Sequence, residues 1–289
     1  MSAKLKIIIT MITFGTLGPF IKNISLASSE IALYRAVIAL IILTVFIIFN
    51  RNSSKIKSIK SNLWKLFFSG AAMGFNWILL FEAYNYTSIA LATLCYYFAP
   101  VIVVIGSTFL FREKLTFKQA ICFIGSTAGL VLIIGVSSGG TRDMTGILLG
   151  LGAAALYATV ILLNKSIKDV DGITRTVFQL AAAVVVLSPY VFGTEGFHIQ
   201  ELNSFGLINL LAVGILHTGI VYVLYFSSLS ELSGQEVSVL SYLDPLFAIL
   251  ISILWMGESI TQTQLLGGAL ILMFTLINEV KSIYKESYS

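Results

Sequence analysis

Charge is scarce in this chain: Asp, Glu, Lys and Arg make up 11% of 289 residues, against 57% apolar residues and a mean hydropathy of +0.93. So few polar groups cannot cover a water-soluble globule of this length, which excludes that class and implies a bilayer. Histidine is nearly missing, with His198 and His217 alone, separated by an expected loop and half a span. That leaves no metal-ligand set and no His-based nucleophile pair at workable spacing, so an intramembrane enzyme is disfavoured. No GxxxxGK[ST] stretch is present to cradle a nucleotide phosphate, so ATP-driven transport within the chain has no support and no cofactor is implied. Cys95 and Cys122 fall in apolar runs and read as small buried hydrophobes, not as a redox pair. Proline is rare, with four in all, so Pro100 and Pro245 inside apolar runs call for a cause.

Long apolar runs are what the chain does have. A helix crossing the hydrocarbon core needs about 20 apolar residues. Ten such stretches are expected, over 5–23, 30–49, 63–84, 88–111, 116–136, 145–164, 173–193, 205–228, 235–256 and 262–279. A transmembrane strand barrel would instead show short alternating segments. With the N-terminus inside, fifteen of the eighteen Lys and Arg residues fall in cytoplasmic segments; Lys22, Arg35 and Arg142 do not. Both termini are therefore expected in the cytoplasm. The net charge of +4 then reflects topology, with no separate basic patch for nucleic acid. The opening MSAKLKIIITMITFG has a signal peptide's charged start but leads into more apolar sequence without a small-residue cleavage site, and reads as the first span.

A shift of 145 residues brings Thr93, Tyr97, Pro100, Ser107, Glu113, Thr116 and Gln119 onto Ser238, Tyr242, Pro245, Ser252, Glu258, Thr261 and Gln264 without a gap. A weaker echo sets FGTLGPFIKN of span one against YATVILLNKS of span six, with Lys22 opposite Lys165. Each half, 1–140 and 141–289, then holds five spans, and an odd number inverts the second half relative to the first. Charge agrees: FREKLTF after span four is basic, whereas MGESITQ after span nine has no Lys or Arg. The expected fold is all-α and integral to the membrane, with ten transmembrane helices as two inverted five-helix repeats around a central cavity.

The segments YFAPVIVVIGSTFLFREKLT and YLDPLFAILISILWMGESIT, with SEIALYRAVIAL at the start of span two, resemble the EamA-type transporters of the drug/metabolite transporter superfamily over nearly the whole chain. The resemblance implies a basket of ten helices that carries small metabolites, often outward, in bacterial plasma membranes. It does not name a substrate. Where the family has Gly nine residues after the motif glutamate, this chain has Gly267 in the second repeat but Cys122 in the first, a departure that concerns helix packing.

Helical periodicity places Ser238, Ser241, Tyr242, Pro245 and Ser252 within about 100° of one another, with Asp244 about 60° beyond Ser241. Span four carries a related stripe of Thr93, Tyr96, Tyr97, Pro100 and Ser107. Each proline, read as lying within a helix, frees the carbonyl four residues before it, which inside a membrane needs a partner or a polar cavity. Bending and close packing alone would be the plain alternative. Ionisable residues within spans mark pathways or proton sites. Asp244, near mid-span, is the first choice. It binds a cationic or amine group, carries a proton, or pairs with Arg35 as a structural ion pair. Arg35 and Glu82 both lie toward the outside, where a pair between them would form an outer gate; snorkelling to the interface is the other reading. His217, in mid-span eight, bonds a substrate, relays protons, or is a satisfied core histidine. Lys22 and Lys165 are expected to reach headgroups, and Glu113 and Glu258 to tether loops at span ends.

Trp77, Tyr96, Tyr97, Tyr157, Tyr222 and Tyr242 sit too deep for an interfacial belt, and deep tyrosines need hydroxyl partners. Such a lining suits an amino acid, an aromatic metabolite or an amine. The expected protein is a secondary carrier of small metabolites by alternating access, working as an exporter, with the bilayer and protons as partners. A channel or sensor is the alternative.

Overall fold

The computed structural model describes residues 1–50, 56–112, 115–135, 140–229, 232, 240–241 and 243–283. They form α1 (Ala3–Gly15), α2 (Leu17–Lys22), α3 (Ser28–Asn50), α4 (Ile56–Ser61), α5 (Leu63–Tyr86), α6 (Ile89–Tyr96), α7 (Ala99–Leu110), α8 (Phe117–Gly135), α9 (Gly140–Lys165), α10 (Gly172–Thr194), α11 (Ser204–Gly214), α12 (Val221–Leu229), α13 (Leu243–Leu254) and α14 (Gln262–Ile283). Among the described residues, seven helical stretches are long and apolar enough to cross a membrane: Ala3–Lys22, Ser28–Phe49, Leu63–Tyr86, Ile89–Leu110, Thr141–Lys165, Gly172–Thr194 and Ser204–Ser228. Shorter apolar helices, Phe117–Leu132, Leu243–Leu254 and Gln262–Asn278, stand within the fifth, ninth and tenth expected spans. Phe49, Phe68, Phe109, Ile124, Leu148, Phe192 and Leu254 all point outward. Water does not tolerate so wide an apolar surface on a monomer, whereas lipid does. The chain is an all-α, multi-pass membrane protein.

Apolar residues are too common here for a narrow amphipathic stripe, so small residues decide which helix faces meet. Ala36 and Ala39 of α3, Phe81 and Ala83 of α5, and Leu180, Ala183 and Leu187 of α10 build the main core. Amides add cross-helix bonds: Asn76 Nδ2 donates to the Ala153 carbonyl at 2.6 Å, and Gln179 Nε2 donates to Ser69 Oγ and Asn164 Oδ1, each at 2.7 Å. In membranes such bonds contribute on the order of 1 kcal/mol each.

Among the described residues, three of the expected spans are interrupted. Span one breaks at Thr16, span four at Tyr97 and Phe98, and span eight passes through a π-helical segment, Ile215–Ile220. Pro100 stands in the first turn of α7 and not inside a continuous helix as the sequence suggested. There its missing N–H lacks an intrahelical partner in any case, so the proline opens a helix at little cost.

Residues 145 apart share local geometry. Arg112 and Gly257 have left-handed backbones, with φ of 56° and 64°. Gln119 Oε1 accepts from the Thr116 amide at 2.8 Å and Thr116 Oγ1 from the Gln119 amide at 3.2 Å. Thr261 and Gln264 repeat this reciprocal cap at 3.0 and 3.2 Å. The helices they open, α8 and α14, pack together so closely that a Cβ on Gly129 would lie 2.5 Å from the Gly267 carbonyl oxygen.

Candidate functional site

The acid of span nine has a partner. The Tyr97 hydroxyl donates to Asp244 Oδ2 at 2.7 Å, joining the break of span four to α13. Tyr96 lies beside it, its ring centroid 6.1 Å from that of Tyr97 and 5.2 Å from that of Tyr157. Tyr157 is 40% exposed, while Tyr96 and Tyr97 are half-buried. The break in span one touches the same place: a Cβ on Gly15 would lie 2.7 Å from the Asp244 carbonyl oxygen and 2.6 Å from Phe247 Cβ. Glycine is required there by contact. Gly15→Val is expected to force α1 and α13 apart at about 1–3 kcal/mol. The check is the melting temperature of the purified protein, and an unchanged value would refute the close approach.

Thr16, the next residue, meets His217 in the π-helical segment, a kind of distortion that recurs at functional sites. His217 Nδ1 faces the Ala212 carbonyl at 3.2 Å and therefore carries a proton. Nε2 is 3.0 Å from Thr16 Oγ1, whose single proton also has the Thr13 carbonyl within 2.8 Å. With a neutral ring, Thr16 donates to Nε2. With a charged ring, Nε2–H donates to Thr16 and the hydroxyl turns to Thr13. Both protonation states thus find hydrogen-bond partners in place.

The adjacent Thr218 hydroxyl donates to the Val213 carbonyl at 2.9 Å and accepts from Arg35 Nε at 2.6 Å. Arg35 is 3% exposed, with its guanidinium carbon 4.4 Å from the centroid of the Trp77 ring and 5.6 Å from that of Phe81. Tyr84 and Tyr96 lie within electrostatic reach of both Arg35 and Asp244. Tyr222 is half-buried between Phe14 and Phe226, with centroids at 5.9 and 6.0 Å.

The expected Arg35–Glu82 gate is not formed. Glu82 instead accepts from Ser28 Oγ at 2.6 Å and Asn85 Nδ2 at 3.2 Å, because it faces the end of α3 that begins at Ser28 while Arg35 lies about two turns deeper. Nor does Arg35 pair with Asp244, whose partner is Tyr97. Lys22 does not reach for headgroups; it forms an ion pair with Glu258. That carboxylate also accepts from Ser252 Oγ at 2.5 Å and the Ile89 amide at 2.8 Å, so Glu258 tethers span ends as expected. Lys165 Nζ lies 4.9 Å from the centroid of the Phe111 ring. Ser241 is half-buried. Tyr242, Ser238 and Glu113 lie outside the described residues. Sequence reasoning missed Gly15, Thr16 and Thr218. The clustered breakers of GTLGP and the small residues of HTG were the available signals.

Among the described residues no group of three or more His, Cys, Asp and Glu side chains could hold a metal. A multi-pass bundle with broken helices around an interior of tyrosines and isolated charges defines a class, the small-molecule membrane transporters. Within that class the chain belongs to the EamA-like transporter family, whose profile matches residues 1–135 and again 144–278. It is 32% identical to the uncharacterized transporter YxxF of Bacillus subtilis (strain 168), over 93% of this chain and 87% of that one. It is 27% identical to Protein PecM of Dickeya dadantii (strain 3937), over 78% and 76% of the two chains. A crystal structure resembles it over 99% of both chains with a TM-score of 0.66 at 18% identity, a likeness of fold.

Proposed function

We propose that the chain is a secondary active carrier that exports small metabolites, amino acids or related amines and aromatic compounds, by alternating access. In this reading two inverted five-helix repeats, 1–140 and 141–289, enclose a central cavity, and ten spans leave both termini in the cytoplasm of a bacterial cell. Support comes from the shared φ angles and reciprocal caps 145 residues apart, and from a family profile that matches each half. The observation that carries the proposal is the bond between Tyr97 and Asp244, because it links equivalent stretches of the two repeats through one buried-side acid. Alternating access requires those stretches to part and rejoin, with Pro100 and Pro245 marking where each half gives way. Protons are the coupling ion, held at Asp244 with His217 as a second station. The Thr16 hydroxyl supports that role by serving either form of the imidazole.

Mass spectrometry of medium and cytosol from cells expressing the intact protein or an empty vector tests this. A metabolite moved to the medium by the intact protein, with saturable kinetics and exchange, is the expected result. Identical profiles with the protein present in the membrane would count against a carrier. A steady conductance in planar bilayers would identify a channel.

A further inference from the structure

We infer that Arg35 is the anchor for a carboxylate on the transported molecule, so that substrates are carboxylates, amino acids above all, and simple amines are excluded. This rests on the carrier reading and narrows it. Arg35 is buried at 3% exposure, its Nε is used by Thr218 at 2.6 Å, and its Nη1 has no hydrogen-bond partner. A guanidinium carries five donors in a flat fork that matches a carboxylate. Leaving a buried cation without an anion is among the most unfavourable arrangements a fold can hold.

The neighbouring carboxylates are committed elsewhere: Asp244 to Tyr97, Glu82 to Ser28 and Asn85, Glu30 to the His198 amide and Nδ1, and Glu258 to Lys22. Among the described residues, none of these supplies the missing anion. Trp77 holds the guanidinium carbon 4.4 Å from its ring centroid, and Nη1 is left for a ligand. One cation between aromatic walls favours a monoanion over a phosphate dianion, which would need further positive groups. Lys22, a further cation among the described residues, is held by Glu258. Nη1 is closed to solvent in this structure, so a carboxylate reaches it when the bundle opens.

The test is thermal unfolding of the purified protein with each of the twenty standard amino acids, with the decarboxylated amine of each, and with sodium chloride alone. At least one amino acid is expected to raise the midpoint by about 5 °C near saturation. Its amine should raise it by less than a fifth of that. Arg35→Gln should abolish the shift, and Arg35→Lys should weaken apparent affinity about tenfold through loss of the fork. If Arg35→Gln does not fold, the Arg35→Lys titration decides alone. An amine equal to its amino acid, a shift unchanged in these variants, no response to any of the twenty, or a shift from chloride alone would each overturn the inference. Arg35-dependent binding without metabolite redistribution in cells would remove the carrier reading and leave a carboxylate site. Redistribution of an amine in cells expressing Arg35→Lys as in wild type would do the reverse.

Discussion

Asp244→Asn abolishes accumulation driven by a pH gradient while exchange of substrate across the membrane continues. Asparagine has the shape of a protonated aspartate, and its carbonyl oxygen can still accept the Tyr97 hydroxyl that now sits 2.7 Å from Asp244 Oδ2. The contact between the two stretches is therefore kept, and only the titrating proton is lost. A charged aspartate at mid-membrane depth costs on the order of 3 kcal/mol, so a carrier that moves it benefits from neutralising it first. Reconstituted vesicles separate the two activities. Gradient-driven accumulation is expected to fall on the order of a hundredfold, with exchange changed about twofold or less, since a preserved hydrogen bond involves about 1 kcal/mol or less. Equal loss of both would assign Asp244 to binding or structure and leave coupling to His217. Tyr97→Phe keeps the acid but removes its donor, and is expected to slow exchange as well.

The sequence made legible what depends on period and on local chemistry. Long apolar runs marked the helices, and the 145-residue register aligned Thr116 and Gln119 with Thr261 and Gln264, two pairs that form the same reciprocal cap. Asp244 drew attention because an acid in apolar sequence needs a partner, and it has one in Tyr97. What failed was partner choice across helices. Arg35 and Glu82 were set at a similar depth from their places along two spans, but depth along a helix does not say which neighbour its face meets. Arg35 turned to Trp77 and Thr218, and Glu82 to Ser28. Lys22 was placed at the headgroups because a long cationic chain near a span end normally reaches water. No pattern within span one could reveal an acid 236 residues later in the chain. The π-helical segment was invisible for a different reason, since one extra residue in a turn leaves an apolar run unchanged.

Glu258→Ala opens the end of the bundle that carries Lys22, and transport fails because that end no longer closes. The carboxylate gathers donors from two halves of the chain: Lys22 at the end of α2, the Ile89 amide at the start of α6, and Ser252 within α13. Ser88 already caps α6 by accepting from the Leu91 amide at 3.1 Å, so the acid completes the unsatisfied first turn of that helix. Removing it leaves an ammonium and a backbone N–H unpaired in a partly buried place. That costs about 3 kcal/mol, a change in the closed population on the order of a hundredfold. The measurement is labelling by a membrane-impermeant thiol reagent of a cysteine placed by Thr93→Cys, with Cys95 and Cys122 replaced. Thr93 is buried in α6 one turn before Tyr97, and its carbonyl accepts from the Tyr97 amide at 2.9 Å. Labelling from the side of the membrane that the Lys22 end faces should rise at least tenfold in Glu258→Ala. Lys22→Ala should have a smaller effect, since two donors remain. Exchanging the two charges, Lys22→Glu with Glu258→Lys, should not restore closure. A simple ion pair would survive the exchange, but a cation at position 258 would face the electropositive start of α6. Full recovery in the exchanged protein would reduce this contact to a salt bridge and remove the helix end from the gate.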